Sequence, residues 1–143
     1  MDHPATSDRW TGVSGQFAKR NCDIVTVKPF GGLENAFVTC SSPDFMTANE
    51  QARFAKLGAI VPYVQYGGSC FAYGTLASGQ TDLAVDSALE PFDIFASAAV
   101  IQGAGGFITD WDGNGIDLRW AGQIVAAGDQ SCLDAAIRIL GSG

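Results

Sequence analysis

A chain of 143 residues with 47% apolar and only 16% charged side chains can bury the core of a single domain, which excludes wholesale disorder. Its 15 acidic against 8 basic side chains give a net charge of −7 and leave no basic stripe, which excludes unaided binding of a nucleic-acid backbone. A phosphorylated ligand would need a bridging cation or a helix N-terminus to offset that charge.

Residues 1–32 are rich in turn formers, and Arg9–Gly15 and Asp23–Lys28 read as two strands joined by a polar turn. A two-stranded hairpin is marginal alone, so this one needs a sheet to join. Pro29-Phe30-Gly31-Gly32 breaks the pattern and marks a boundary, with a second unit over 33–143. Phe37–Cys40 predicts a short buried strand. Thr47 followed three residues later by Glu50 has the form of a capping box, which predicts a helix to Ala59. Val61–Tyr66 alternates as a strand, and residues 69–78 are small and apolar, as in a buried helix ending at Gly79. Thr81–Asp86 predicts another strand, and Pro91 opens a helix that Gly103-Ala104-Gly105-Gly106 stops. Phe107–Thr109 and Gln123–Ala127 predict strands, and Ser131–Leu140 a closing amphipathic helix. Strands alternating with helices give the α/β class.

The four cysteines, Cys22, Cys40, Cys70 and Cys132, form no Cys-x-x-Cys pair and read as buried thiols of a reducing compartment. No basic-then-apolar leader opens the chain, and no apolar run approaches the roughly 20 residues of a membrane span, so the expected location is cytoplasmic. The single histidine, His3, excludes His-based triads and multi-His zinc sites.

Three segments could carry chemistry. Asp110-Trp111-Asp112-Gly113-Asn114-Gly115 matches the first half of a calcium loop, but Ala121 stands where the loop needs a bidentate Glu, and Phe107–Thr109 reads as a strand where a helix is required. A tight Asp/Asn/Gly turn accounts for it. In Asp86-Ser87-Ala88-Leu89-Glu90-Pro91-Phe92-Asp93 a strand ends and a helix begins, which is where α/β proteins hold ligands. The helix dipole alone accounts for Asp93, and a metal or catalytic role is the alternative. In Tyr66-Gly67-Gly68-Ser69 the glycines bring backbone N–H groups close to a ligand or serve a tight strand-to-helix turn; Tyr66, Phe71 and Tyr73 read as core.

Together these segments resemble the C-terminal half of the inositol monophosphatase superfamily. The resemblance is carried by Gly67-Gly68-Ser69 with its helix, Thr81–Asp86, Pro91-Phe92-Asp93, Gly103–Gly113 and Val125–Asp129. Arg9–Gly12, Ser42–Phe45 and Tyr66–Gly74 look most like the histidinol-phosphate phosphatases within it. The resemblance implies a magnesium-dependent phosphomonoesterase with alternating α and β layers, of which this chain would hold the C-terminal half of an αβαβα sandwich, with residues 1–32 a hairpin cut from its parent sheet. It implies Asp93 as a Mg2+ ligand, and Asp86, Ser69, Gly68 and Gly67 as substrate-binding residues. The Asp-Pro-x-Asp-Gly-Thr metal motif of the family is absent, so the expectation is a chain inactive alone, from an enzyme of a small phosphorylated metabolite, with a second copy in a homodimer or the missing N-terminal half as its partner. Ser69 stands where that subgroup usually has Asp, Asp86 where it has Glu, and Glu90 where it has Lys. An inositol- or sugar-phosphate phosphatase of the same fold, or a non-catalytic subunit completed by a partner, are the rival expectations.

Overall fold

A computed structural model describes residues 1–141. The chain opens with four short antiparallel strands, β1 (Asp2–His3), β2 (Asp8–Val13), β3 (Phe17–Arg20) and β4 (Asp23–Val25), hydrogen-bonded in sequence order. The predicted pair of strands is therefore a four-stranded sheet. Two strands are additional: β1, and β3, which lies in the stretch read as a polar turn. Its Lys19 and Arg20 are polar, yet Arg20 pairs with Trp10 in register and binds the Asp8 carboxylate at 2.7 Å.

The second sheet contains β5 (Phe37–Cys40), β6 (Tyr63–Tyr66), β7 (Leu83–Asp86), β8 (Phe107–Thr109) and β9 (Ile124–Ala127), in the order β6-β5-β7-β9-β8. β5 is parallel to β6 and to β7, while β9 runs antiparallel to β7 and β8. The helices are α1 (Ala48–Gly58), α2 (Ser69–Ala77), α3 (Pro91–Gly103) and α4 (Gln130–Leu140).

Patterning explains where each helix sits. α1 and α4 are amphipathic and present Phe54, Leu57, Leu133, Ala136 and Leu140 to one face of the second sheet. α2 and α3 are apolar nearly all round because they lie between the two sheets, where Leu76, Ile94 and Ile101 meet Trp10 and Ala18 on one side and Ala84 and Ala126 on the other. The close approach has a sequence cause. A Cβ on Gly74 of α2 would lie 2.7 Å from the Trp10 indole, so only glycine lets the helix down onto β2.

The layers run sheet, helices, sheet, helices through the whole described chain. This corrects the expectation of only the C-terminal half of an αβαβα sandwich, and of a lone two-stranded hairpin at its start. The physical reason is that β1–β4 make a sheet of their own, which buries Trp10 and Ala18 at 1% and 0% exposure in the core that α2 and α3 share. Of the thiols expected to be buried, Cys40 and Cys132 are, whereas Cys22 is exposed and Cys70 half-buried. Among the described residues no helix is long and apolar enough to cross a membrane.

Candidate functional site

The three parallel strands end side by side. After β5 the chain crosses to α1 on one face of the sheet, and after β6 it crosses to α2 on the other. Such a reversal opens a crevice at the carboxyl ends of the strands. Here that crevice is a cleft of about 520 Å³, lined by Ser41 after β5, Ser69 after β6 and Ser87 after β7, with Tyr73 of α2 and Asp93 of α3. Phe45, Leu89 and Phe92 add apolar walls, and Phe45 and Phe92 are 63% and 82% exposed. The N-termini of both α2 and α3 open on it, so two helix dipoles offer partial positive charge inside an acidic protein.

The turn into α2 is unusual. Gly67, Gly68 and Ser69 have φ of 81°, 96° and 42°, three successive left-handed residues. A Cβ at Gly68 would meet nothing closer than 3.4 Å, so glycine is needed there for conformation rather than space. Ser69 adopts φ 42° without that freedom, a strain of the kind found where a side chain is aimed at a ligand.

Asp93 and Ser69, from the sequence-predicted set, meet in this cleft. Oδ2 of Asp93 accepts the Glu90 backbone N–H at 2.9 Å, closing the first turn of α3. Gly67 and Gly68 shape the turn but are not among the cleft's lining residues. Asp86 lies outside the lining as well. It is 4% exposed, with Oδ1 accepting the Ser41 N–H at 2.6 Å and Oδ2 accepting the Tyr73 hydroxyl at 2.5 Å. Burial pushes its carboxyl above the ordinary range, and the Tyr73 and Ser41 hydrogen bonds pull the other way. The three carboxylates Asp86, Glu90 and Asp93 therefore do not converge, and among the described residues no group of three or more His, Cys, Asp or Glu side chains could hold an ion between them.

Sequence reasoning missed Ser41, Ser87 and Tyr73, whose meeting depends on strand order. It also read Glu50 only as a helix cap. Glu50 makes that cap, with Oε2 accepting from the Thr47 N–H and hydroxyl, both at 2.7 Å. Its Oε1 also accepts from Ser87 at 2.7 Å and Gln123 at 2.5 Å. Burial would raise this carboxyl, but the bonds from Gln123, Ser87 and Thr47 outweigh it and hold the group down at about 2. At the far end of the sheet, Asp110 accepts the Asp112 and Asn114 N–H groups at 2.9 and 2.7 Å, the tight turn expected in place of a calcium loop.

The sequence model of the inositol monophosphatase family matches residues 1–141. The chain is 32% identical to the bifunctional phosphatase IMPL2 (chloroplastic) of Arabidopsis thaliana, over 98% of this chain and 42% of the relative. It is 25% identical to the Nus factor SuhB of Vibrio cholerae, over 87% and 48%. Among solved structures, an inositol monophosphatase from Zymomonas mobilis superposes with a TM-score of 0.93 at 27% identity, covering 97% of this chain and 55% of that one. One from Anabaena gives 0.85 at 25% identity, covering 97% and 56%. The chain thus spans about half the length of the proteins it matches.

These findings correct the narrower expectations. The family model matches residues 1–141, nearly the whole chain, and that match replaces the expectation of a likeness to a C-terminal half alone. The relatives point to the general inositol monophosphatase and SuhB group rather than to histidinol-phosphate phosphatases. The charges at positions 69 and 90 agree with that: Ser69 lacks the carboxylate and Glu90 the cation expected of the narrower group.

Proposed function

Since the chain belongs to the inositol monophosphatase family, we propose that it is a phosphomonoesterase whose substrate is the phosphate ester of a small neutral polyol, an inositol or a sugar. The observation that carries this reading is the makeup of the cleft. Its polar lining is four hydroxyl-bearing residues, Ser41, Ser69, Tyr73 and Ser87, against one carboxylate, Asp93. Tyr73 and Ser87 give their protons to Asp86 and Glu50 and keep lone pairs to accept with, which suits an alcohol bearing several O–H donors.

The donor set also fits a magnesium ion. Magnesium takes hard oxygen ligands, keeps several waters, and is commonly bound through one or two carboxylates plus the substrate's phosphate. Asp93 supplies such a carboxylate: Oδ2 is engaged by the Glu90 N–H, and Oδ1 is the oxygen left for the ion. When bound, a divalent ion there supplies Lewis-acid charge to a phosphoryl oxygen and acidity to a water. The chain's own residues do the rest. The N-termini of α2 and α3 offset the phosphate's charge, the serines at the strand ends orient the ester, and Phe45 and Phe92 exclude water from its flank.

A panel of phosphate esters tests the substrate class. With magnesium present, inositol and sugar phosphates should exceed phosphorylated amino alcohols by about tenfold or more in kcat/KM, because a cleft without a paired carboxylate has nothing to hold an ammonium. Equal or better turnover of the amino alcohols would contradict it.

A further inference from the structure

Below the cleft, one of its lining hydroxyls is coupled to a carboxylate that this reading leaves unused. Tyr73 lines the cleft, is 3% exposed, and donates its hydroxyl to Asp86. The second oxygen of Asp86 is taken by the N–H of Ser41, also a cleft residue. Both carboxylate oxygens are thus engaged by groups that line the cleft, while Asp86 itself does not. A phenol whose proton is committed to a carboxylate has only its lone pairs left to offer elsewhere. The charge behind it polarises the chain and strengthens the acceptor.

We propose that Tyr73 accepts a hydrogen bond from a hydroxyl of the ligand's alcohol portion, and that Asp86 is a positioning residue acting through Tyr73 rather than by touching the ligand. Burial and the neighbouring carboxylate keep the Tyr73 proton in place, well above the ordinary phenol range, so the phenol remains neutral. Ser41, just past the end of β5, and Tyr73 of α2 each hold one oxygen of the carboxylate, so the couple is set before a ligand arrives. The proposal rests on reading the cleft as the substrate site.

The test uses the full chain, as wild type, Tyr73→Phe, Asp86→Asn and the double variant. Each is measured with myo-inositol 1-phosphate and with phenyl phosphate, which carries no alcohol hydroxyl. Turnover is followed with magnesium, and binding by calorimetry without turnover. Asn can still accept from the Ser41 N–H while donating to the Tyr73 oxygen, so Asp86→Asn retains the local packing. Tyr73→Phe should raise KM and Kd for inositol phosphate about tenfold with kcat little changed, and shift those of phenyl phosphate far less. Asp86→Asn should weaken inositol phosphate in the wild-type background and add nothing to Tyr73→Phe. Equal weakening of both ligands would make the couple merely structural. A further loss from Asp86→Asn in the Tyr73→Phe background would mean that Asp86 touches the ligand, and failure of the wild type to bind inositol phosphate would overturn the proposal too. Absence of turnover with binding retained would sink only the phosphatase reading, and the binding data would still decide on the couple.

Discussion

The Ser87 hydroxyl donates to Oε1 of Glu50 at 2.7 Å, tying the wall of the cleft to the first turn of a helix 37 residues earlier. The same carboxylate caps α1 through Thr47 and holds Gln123 just before β9. One buried group therefore fixes three segments around the ends of β7 and β9. The bond between the Leu89 N–H and the Gly122 carbonyl, at 3.1 Å, closes the same corner through the backbone.

This arrangement gives a pH dependence with a definite sign. The folded value of Glu50, about 2, lies below its ordinary 4.5, so the ionised form favours the fold. Its contribution is complete above 4.5 and is lost as pH falls toward 2. Urea melts across that window should show the wild type losing stability more steeply than Glu50→Gln. At neutral pH, Glu50→Ala should cost about 2 kcal/mol, because buried donors on Ser87 and Gln123 lose their acceptor. Parallel pH profiles for wild type and Glu50→Gln would contradict the assignment.

A second prediction concerns the contact between the first sheet and α2. Trp10 is 1% exposed, its indole N–H donates to the Ser78 hydroxyl at 2.9 Å, and the Arg20 guanidinium lies 5.3 Å over its ring, so the ring cannot yield. Gly74→Ala would gain about 1 kcal/mol of helix propensity and lose more to overpacking, for a net loss of about 1–2 kcal/mol. Gly58→Ala, where an added Cβ meets open space, should lose nothing. Thermal melts of the two variants separate the cases, and equal melting temperatures would remove Gly74 as the seat of Trp10.

What could be read from the sequence was local. The cap of α1 is written in Thr47 and Glu50, three residues apart, and the start of α3 in Pro91 and Asp93; both form as read. Asp93 and Ser69 enter through the family resemblance; each sits at a helix start just past a strand, but chain order alone leaves a dipole-stabilised carboxylate and a tight turn as sufficient explanations. The burial of Asp86 was not legible, because its partners Ser41 and Tyr73 lie 45 and 13 residues away. Ser41, Ser69 and Ser87 look unrelated until three parallel strands place their ends side by side. β3 escaped notice because charged residues on a short strand read as a turn; Arg20 is half-buried only because Asp8 and Trp10 receive it.

The central claim is that the cleft at Asp93 is a magnesium-dependent phosphatase site, and phosphate release from myo-inositol 1-phosphate by wild type and Asp93→Asn tests it most directly. Asn keeps an oxygen to accept the Glu90 N–H, so the start of α3 is preserved while the ion's charged ligand is lost. The account predicts magnesium-dependent release by the wild type, abolished in the variant with the melting temperature retained. Undiminished, magnesium-dependent release by Asp93→Asn would contradict it.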